Sequence, residues 1–111
     1  MNTTQAVTKY VRISPRKARL AADLIRGLSV AEASLQLMYC NMKGGRLLKK
    51  TLDSAVANAE TELDLRRDAL HVAEVRVDEG PRLKRAKPKN RGGRHPILKR
   101  MSHFTVVVSA E

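Results

Sequence analysis

The chain has 111 residues, with 22 Lys plus Arg against 11 Asp plus Glu, a formal net charge of +11 and one cysteine, Cys40. This length predicts one domain with a modest core, and a lone cysteine excludes an internal disulfide framework. The apolar runs are far shorter than the roughly 20 residues of a membrane span, and the first ten residues lack a signal-peptide core, so we expect a cytosolic protein.

The positive charge is concentrated in one segment, "RLKRAKPKNRGGRHPILKR", residues 82–100. This segment holds nine Lys or Arg and no Asp or Glu, whereas the other 92 residues hold 13 basic and 11 acidic residues. Neutralising phosphates releases condensed counterions, which favours binding whatever the nucleotide sequence. A nearly neutral body with one basic stretch therefore predicts a polyanion partner, with nucleic acid considered first.

The first predicted element is a half-buried strand over residues 7–13, in which the odd positions Val7, Val11 and Ile13 are apolar. "SPRKARLAADLIRG" then predicts a helix, because a capping serine precedes a proline at the first helical position and a glycine ends the pattern. Helical spacing predicts its apolar face. The residues of this face are Ala18, Ala21, Leu24, Ile25 and Leu28.

Two further helices are predicted in the middle of the chain. "SVAE" gives Ser29 and Glu32 the spacing of a capping box, which starts a short helix ending near Tyr39. After a break at "NMKGG", residues 46–62 form a third helix with one apolar stripe. The stripe consists of Leu48, Leu52, Ala55, Val56 and Ala59.

The last third of the chain changes to strand periodicity. Ala73, Val75 and Val77 alternate with charged residues, and "FTVVVSA" is rich in β-branched residues. The basic segment lies between these two strands, with Gly92 and Gly93 near its middle. This arrangement predicts one very long hairpin that projects about 30 Å.

The basic segment also has an alternative interpretation, as a disordered and solvated stretch. Its position between two strands favours a nucleic-acid-contacting hairpin or loop, because its ends are held together and Pro81, Pro88 and Pro96 stiffen its backbone. With no Trp, one Phe and two Tyr, the chain lacks the aromatic platforms on which single-stranded bases stack. Recognition of the backbone and shape of a folded nucleic acid is therefore favoured.

The start of the first helix is a second candidate contact. Arg16, Lys17 and Arg19 crowd a helix N-terminus, where a phosphate would accept from backbone N–H groups and from the guanidinium groups together. The alternative is that Asp23 pairs with Arg19 and Arg26 and that the other cations are simply solvated. The charged side of the third helix is weaker support, because any surface helix has one. Its residues are Arg46, Lys49 and Lys50.

Catalytic and metal-binding interpretations find little support in the sequence. His71, His95 and His103 are far apart, and no paired cysteine or carboxylate has metal-ligand spacing, so each is predicted to be an ordinary strand or loop residue. "NRGGR" lacks the Gly-Lys-Ser/Thr ending of a phosphate-binding loop. Asp78 and Glu79 are predicted to mark the exit of a strand, and the cysteine to be a small apolar residue at a helix end.

Four blocks of the chain carry a family resemblance: "SPRKARLAADLIRG", "SAVANAE", "VDEGPRLKR" and "ILKRMSHFTVVV". In order and separation they closely resemble the large-subunit ribosomal protein numbered twenty-two in the universal series, in its bacterial form. The resemblance implies an α+β fold, with three helices packed on a small three-stranded antiparallel sheet and a long projecting basic β-hairpin. The single domain, residues 1–111, would comprise a globular body, 1–81 and 101–111, and an extended hairpin of about 82–100.

The resemblance also implies a function. It implies a non-enzymatic structural constituent of the large ribosomal subunit in the cytoplasm, which binds 23S rRNA across several domains and supports early assembly. The hairpin would line the nascent-peptide exit tunnel, with the nascent peptide and neighbouring large-subunit proteins as partners. No cofactor, metal, membrane span or obligate homo-oligomer is implied. The alternatives are a small DNA-binding or nucleoid protein, commonly a symmetric dimer, and an enzyme with a basic substrate site.

Carried over by position, the resemblance predicts contacts at the helix start and along the hairpin. The tip departs from the family's common Gly-Arg-Ala, since residues 92–96 read "GGRHP". The residues predicted to bind rRNA, here together with those of the third helix, are Arg12, Ser14, Arg16, Lys17, Arg19, Arg46, Lys49, Lys50, Arg82, Lys84, Arg85, Lys87, Lys89, Arg91, Arg94, Lys99 and Arg100. Those predicted to line the tunnel at the tip are Lys89, Asn90, Arg91, Gly92, Gly93, Arg94 and His95.

Overall fold

The structure, a computed structural model, describes residues 2–88 and 94–110, with side chains for 3–84 and 99–110. Its three α-helices and its antiparallel sheet confirm the predicted α+β class. None of the helices in the described ranges is long and apolar enough to cross a membrane. In chain order the elements are β1 (Asn2–Val11), α1 (Pro15–Ile25), α2 (Val30–Met38), α3 (Lys43–Glu62), a 3-10 helix (Arg67–Ala69), β2 (Leu70–Glu79), β3 (Leu83–Pro88), β4 (Arg94–Lys99) and β5 (Ser102–Ala110).

The main sheet has the strand order β1-β5-β2, and both pairings are antiparallel. The central strand β5 places Phe104, Val106 and Val108 in the core, where each is fully buried. The helices contribute apolar residues to the same core cluster, including Ile25 of α1 and Leu52 of α3. The core therefore lies between the helices and the three-stranded sheet, as the apolar patterns predict.

The predicted buried face of the first strand is wrong in its first half. Ala6 is buried, whereas Val7 is 47% exposed. The register shifts between Thr8 and Val11, where two residues of β1 stand opposite one residue of β5. Because side chains alternate along a strand, one extra residue reverses the face that points inward. Beyond this bulge, Val11 packs against the core as predicted.

The second strand, β2, has the same irregularity. Its register shifts between Val72 and Glu74, and Ala73 is exposed at the shift, contrary to prediction. The predicted core residues Val75 and Val77 are buried. The alternating pattern therefore identified the strand correctly and misplaced only the residue at the bulge.

The first two helices start as their capping residues predict. The Ser14 hydroxyl accepts from the backbone N–H of Lys17 at 3.4 Å, and the Ser29 hydroxyl accepts from that of Glu32 at 3.3 Å. Gly27, at φ +83°, follows α1 in the left-handed conformation that glycine adopts most readily. The predicted apolar face of α1 is buried at Ala18, Ala21 and Ile25, with Leu28 packed at its margin. Leu24 is 42% exposed and does not belong to the core.

The third helix starts at Lys43, before the position predicted for it. The two glycines read as a break lie inside its first turn, because the chain is packed closely there. A Cβ on Gly44 would lie 3.3 Å from the Cα of Ala18, and one on Gly45 would lie 2.9 Å from the Cβ and Sγ of Cys40. Close packing of Gly44 against α1 and of Gly45 against the α2–α3 loop, rather than a turn, therefore explains this glycine pair.

The hairpin strands β3 and β4 pair in antiparallel register from Leu83↔Lys99 to Pro88↔Arg94. In the chain, β3 follows β2 and β4 precedes β5. Between these two strand pairs, the N–H of Gly80 donates to the carbonyl of Met101 at 2.9 Å, which joins the hairpin to the main sheet. The chain is elongated, with extents of 62 × 25 × 16 Å. Of the predicted tip, residues 89–95, the stretch 89–93 lies outside the described residues, as do the side chains of 85–88 and 94–98.

Candidate nucleic-acid interface

A cleft of about 550 Å³ lies where the starts of α1 and α3 meet the root of the hairpin. Its basic side chains come from the β1–α1 loop, both helices and the return arm of the hairpin, and no described acidic side chain lines it. We call it the basic cleft and define it by its cations. These are Arg12, Lys17, Lys43, Lys99 and Arg100.

Two hydrogen bonds fix the loop that forms one wall of the basic cleft. The ammonium of Lys43 donates from Nζ to the carbonyl of Arg12 at 3.1 Å. The buried hydroxyl of Ser102 donates to the carbonyl of Ile13 at 2.7 Å. The loop is thereby attached to the start of α3 and to the start of β5, which positions the Arg12 side chain beside the hairpin root.

The backbone adds to the positive potential of this cleft. Neither α1 nor α3 has an acidic residue in its first turn, and α3 has no side-chain cap. Helix N-termini attract anions through their macrodipoles and their unpaired N–H groups. Two such termini beside five cations form a site suited to a phosphate group or another multiply charged anion.

The structure brings together several predicted contacts that are distant in sequence. Arg12, Ser14 and Lys17 of the predicted helix-start contact line the same cleft as Lys99 and Arg100 of the hairpin. The sequence-based prediction did not include Lys43, the first residue of α3. Gly44 and Gly45, which follow it, were interpreted as a break between helices. The available signal was a basic residue, Lys43, directly before the glycine pair.

Two arginines, Arg19 within α1 and Arg26 directly after its end, also contact the edge of the sheet. Arg19 donates from Nε and Nη2 to the carbonyl of Val77 at 3.2 and 3.0 Å. Arg26 donates from Nη2 to the carbonyl of Val75 at 2.9 Å and pairs with Asp23 at 2.6 Å. The predicted Asp23 pairing therefore holds for Arg26 and not for Arg19. These contacts cover carbonyls on the edge of β2 that faces away from β5.

The remaining predicted helix cations differ in their exposure and pairing. Arg16 makes no hydrogen bond or ion pair with the described part of the chain. On α3, Arg46 and Lys50 are exposed, while Lys49 pairs with Asp53 at 3.0 Å. These three cations of α3 lie outside the lining of the basic cleft and form a separate basic surface.

The described part of the hairpin presents further basic side chains near its root. Arg82 lies 3.6 Å from Glu79 in an ion pair that is about half exposed at each side chain, and Lys84 is exposed. The other predicted contacts of the hairpin fall on side chains outside the described residues. They are Arg85, Lys87, Lys89, Asn90, Arg91, Gly92, Gly93, Arg94 and His95.

The two histidines with described side chains lie in strands and make structural hydrogen bonds. His71 Nε2 is 3.0 Å from the hydroxyl of Ser109, and His103 Nδ1 accepts from the backbone N–H of Tyr10 at 3.1 Å. Within the described residues, no three His, Cys, Asp or Glu side chains are grouped as they would be around a metal ion. Both imidazoles are engaged in hydrogen bonds within the main sheet.

Comparison with known proteins gives consistent matches over nearly the whole chain. The family model described as Ribosomal protein L22p/L17e matches residues 6–109. Large ribosomal subunit protein uL22 of Protochlamydia amoebophila (strain UWE25) is 76% identical over 109 residues, which cover 98% of each chain. The proteins of the same name from Chlamydia abortus and Chlamydia felis are 62% and 61% identical over 104 residues, or 94% of each chain. The matched regions include both the basic cleft and the hairpin strands.

Proposed function

Because this chain belongs to the ribosomal protein L22p/L17e family, we propose that it binds 23S rRNA through the basic cleft and the hairpin. Family membership makes it a structural component of the large subunit of the cytoplasmic ribosome, and not an enzyme. Other large-subunit proteins and rRNA are accordingly its partners.

The convergence of five cations on the basic cleft carries this proposal. Gathering Arg12, Lys17 and Lys43 beside two basic residues of the hairpin places like charges close together, which costs free energy in the isolated protein. A phosphate backbone in the cleft turns this repulsion into attraction and releases counterions. The arrangement favours a continuous strand of RNA over a single small anion, because the cations come from separate walls.

The hairpin extends the same surface away from the body. Lys99 and Arg100 belong both to its return arm and to the basic cleft, so RNA held in the cleft adjoins the hairpin root. The ribbon of β3 and β4 follows β2 and precedes β5 in the chain, so these two strands of the main sheet carry it. We propose that this ribbon runs into rRNA and that its tip, residues 89–95, lines the nascent-peptide exit tunnel.

A photoreactive residue in place of Arg91 tests the tunnel assignment. In ribosomes that carry a stalled nascent peptide, this probe should crosslink to the peptide. The same probe in place of Arg66, an exposed residue directly before the 3-10 helix, should not. Crosslinks from position 91 to rRNA alone, with no nascent peptide captured, would remove the tunnel from the proposal.

The elongated shape supports a role in early subunit assembly. A chain 62 Å long, with a cleft at its body and a ribbon beyond, can hold separate segments of rRNA at once. Binding restricts the motion of these segments in advance, so their later folding loses less conformational entropy. In reconstitution of large subunits, leaving this protein out of the first step and adding it last should yield fewer complete particles than adding it first.

The salt dependence of binding tests the cleft directly. Replacing Arg12 and Lys17 by glutamine should weaken binding to 23S rRNA and reduce the slope of log K against log salt by about one for each lost phosphate contact. The matched control replaces Arg66 and Arg67, which lie among acidic residues, by glutamine. Equal slopes for the two variants, or equal affinity of the parent chain for duplex DNA, would contradict specific rRNA binding at this cleft.

A further inference from the structure

Tyr10 lies at the root of the hairpin in a conformation that tyrosine rarely adopts. Its φ is +60°, its side chain is 61% exposed, and it falls within the bulge of β1. Bulges re-aim side chains, and non-glycine residues at positive φ are found preferentially at functional sites because their surroundings must hold them there. An exposed aromatic ring held in this way needs an explanation beyond packing of the core.

His103 holds Tyr10 in place. The backbone N–H of Tyr10 donates to His103 Nδ1 at 3.1 Å, and the two rings meet edge to face with their centroids 5.1 Å apart. Since a backbone N–H can only donate, Nδ1 must be the unprotonated nitrogen of this imidazole. The His103 ring also lies close to Gly80: a Cβ added to Gly80 would lie 3.2 Å from Cε1 of His103. The imidazole is therefore fixed between the hairpin root and the tyrosine.

The Tyr10 ring keeps a face available for a ligand. A perpendicular pair uses the edge of one ring and one face of the other, so His103 covers at most one face of Tyr10. Arg12, two residues further along, lines the basic cleft. Tyr39 is more exposed, at 77%, but it lines a shallow groove with no basic residue among its described walls. Among the described residues, only Tyr10 combines an open, fixed ring with adjacent basic charge.

We propose that Tyr10 is a stacking platform for an unpaired nucleobase of the RNA whose backbone lies in the basic cleft, with His103 as its positioning residue. This inference rests on the RNA binding proposed above and adds the group that is recognised, the π-face of a base. Stacking on an aromatic ring accepts any base, and a ring that is already fixed loses little entropy when it binds. The low aromatic content of the chain does not exclude one such platform.

Intrinsic fluorescence tests the stacking directly, because the chain has two tyrosines and no tryptophan. In a Tyr39→Phe variant Tyr10 is the sole emitter, and protein-free 23S rRNA should quench it. Inorganic polyphosphate should bind without comparable quenching, since it offers charge but no base. The matched Tyr10→Phe variant, in which Tyr39 alone emits, should show only the correction for light absorbed by the RNA.

The outcomes separate the two proposals. Binding of 23S rRNA with Tyr10 emission unchanged, or equal quenching by polyphosphate, would overturn the stacking and leave RNA binding intact. Failure of the parent chain to bind 23S rRNA at all would overturn both. Binding with base-dependent quenching of Tyr10 alone is the result that we expect.

Affinity measurements provide a second readout. Tyr10→Leu should weaken 23S rRNA binding by about 5- to 150-fold, the range typical of losing one base-stacking ring, whereas Tyr10→Phe and Tyr39→Leu should bind nearly as the parent does. His103→Leu, which removes the acceptor, should reduce the quenching of Tyr10, and His103→Asn, which keeps an acceptor, should restore part of it. A lower melting temperature in Tyr10→Leu with unchanged affinity of the folded protein would show that the ring is only structural.

Discussion

Replacing Arg19 by methionine should destabilise the fold, and replacing Arg16 by methionine should not. Methionine keeps an apolar stem and removes the donors, so the change isolates the guanidinium. Arg19 donates twice to the carbonyl of Val77, whereas Arg16 has no partner among the described residues. A hydrogen bond from a charged donor contributes about 1.5 to 3 kcal/mol; the shared acceptor and the exposure of Arg19 reduce the expected loss to about 1 kcal/mol. For a domain of this size that is a fall of about 4 °C in melting temperature.

Thermal unfolding followed by circular dichroism measures this difference, and rRNA binding by the same variants assigns the roles. Arg16→Met should melt within about 1 °C of the parent and bind 23S rRNA more weakly. Arg19→Met should show the larger loss of stability. If Arg19→Met left the melting temperature unchanged and weakened rRNA binding as much as Arg16→Met, the contact with β2 would not be an anchor, and both arginines would belong to the RNA surface.

Three other changes test the packing around the interface. Gly45→Ala should destabilise the fold by about 1 to 3 kcal/mol, because the new Cβ would lie 2.9 Å from Cys40; adding Cys40→Gly should recover part of that loss in thermal melts, and no recovery would contradict the close approach. Ser102→Ala should cost about 1 to 3 kcal/mol in urea unfolding, since the Ile13 carbonyl loses a buried donor, and an unchanged midpoint would contradict this. Replacing residues 82–100 by a two-residue Asn-Gly turn should leave a body that melts cooperatively, because the core lies elsewhere, and loss of a cooperative transition would contradict a separable hairpin.

The sequence predicted the fold class and the helix starts because those features are encoded locally. A capping hydroxyl at Ser14 and a left-handed glycine at position 27 act within one helical turn. The strand faces were not encoded in this way. Val7 and Ala73 were placed inward by simple alternation, and the bulges that turn them outward depend on pairing with β5, which comes last in the chain.

The same distinction applies to the interface. Local charge identified the helix start and the hairpin as basic, but it could not show that Arg12 and Lys43 share a cleft with Lys99. Arg16 and Arg19 are equivalent in sequence terms, since both are basic residues near one helix N-terminus. Only the position of β2 distinguishes them, because it places a backbone carbonyl within reach of Arg19. Long-range geometry therefore decides which of these cations are engaged by the fold itself.

Sedimentation of a tagged chain from lysate, at moderate and at high salt, tests the central claim most directly. We predict that it travels with the large ribosomal subunit and remains there at salt concentrations that remove loosely bound basic proteins, because the sites proposed on the body and the hairpin would bind rRNA together. A chain that stays at the top of the gradient, or washes off readily at high salt, would show that its basic residues form only a general polyanion-binding surface.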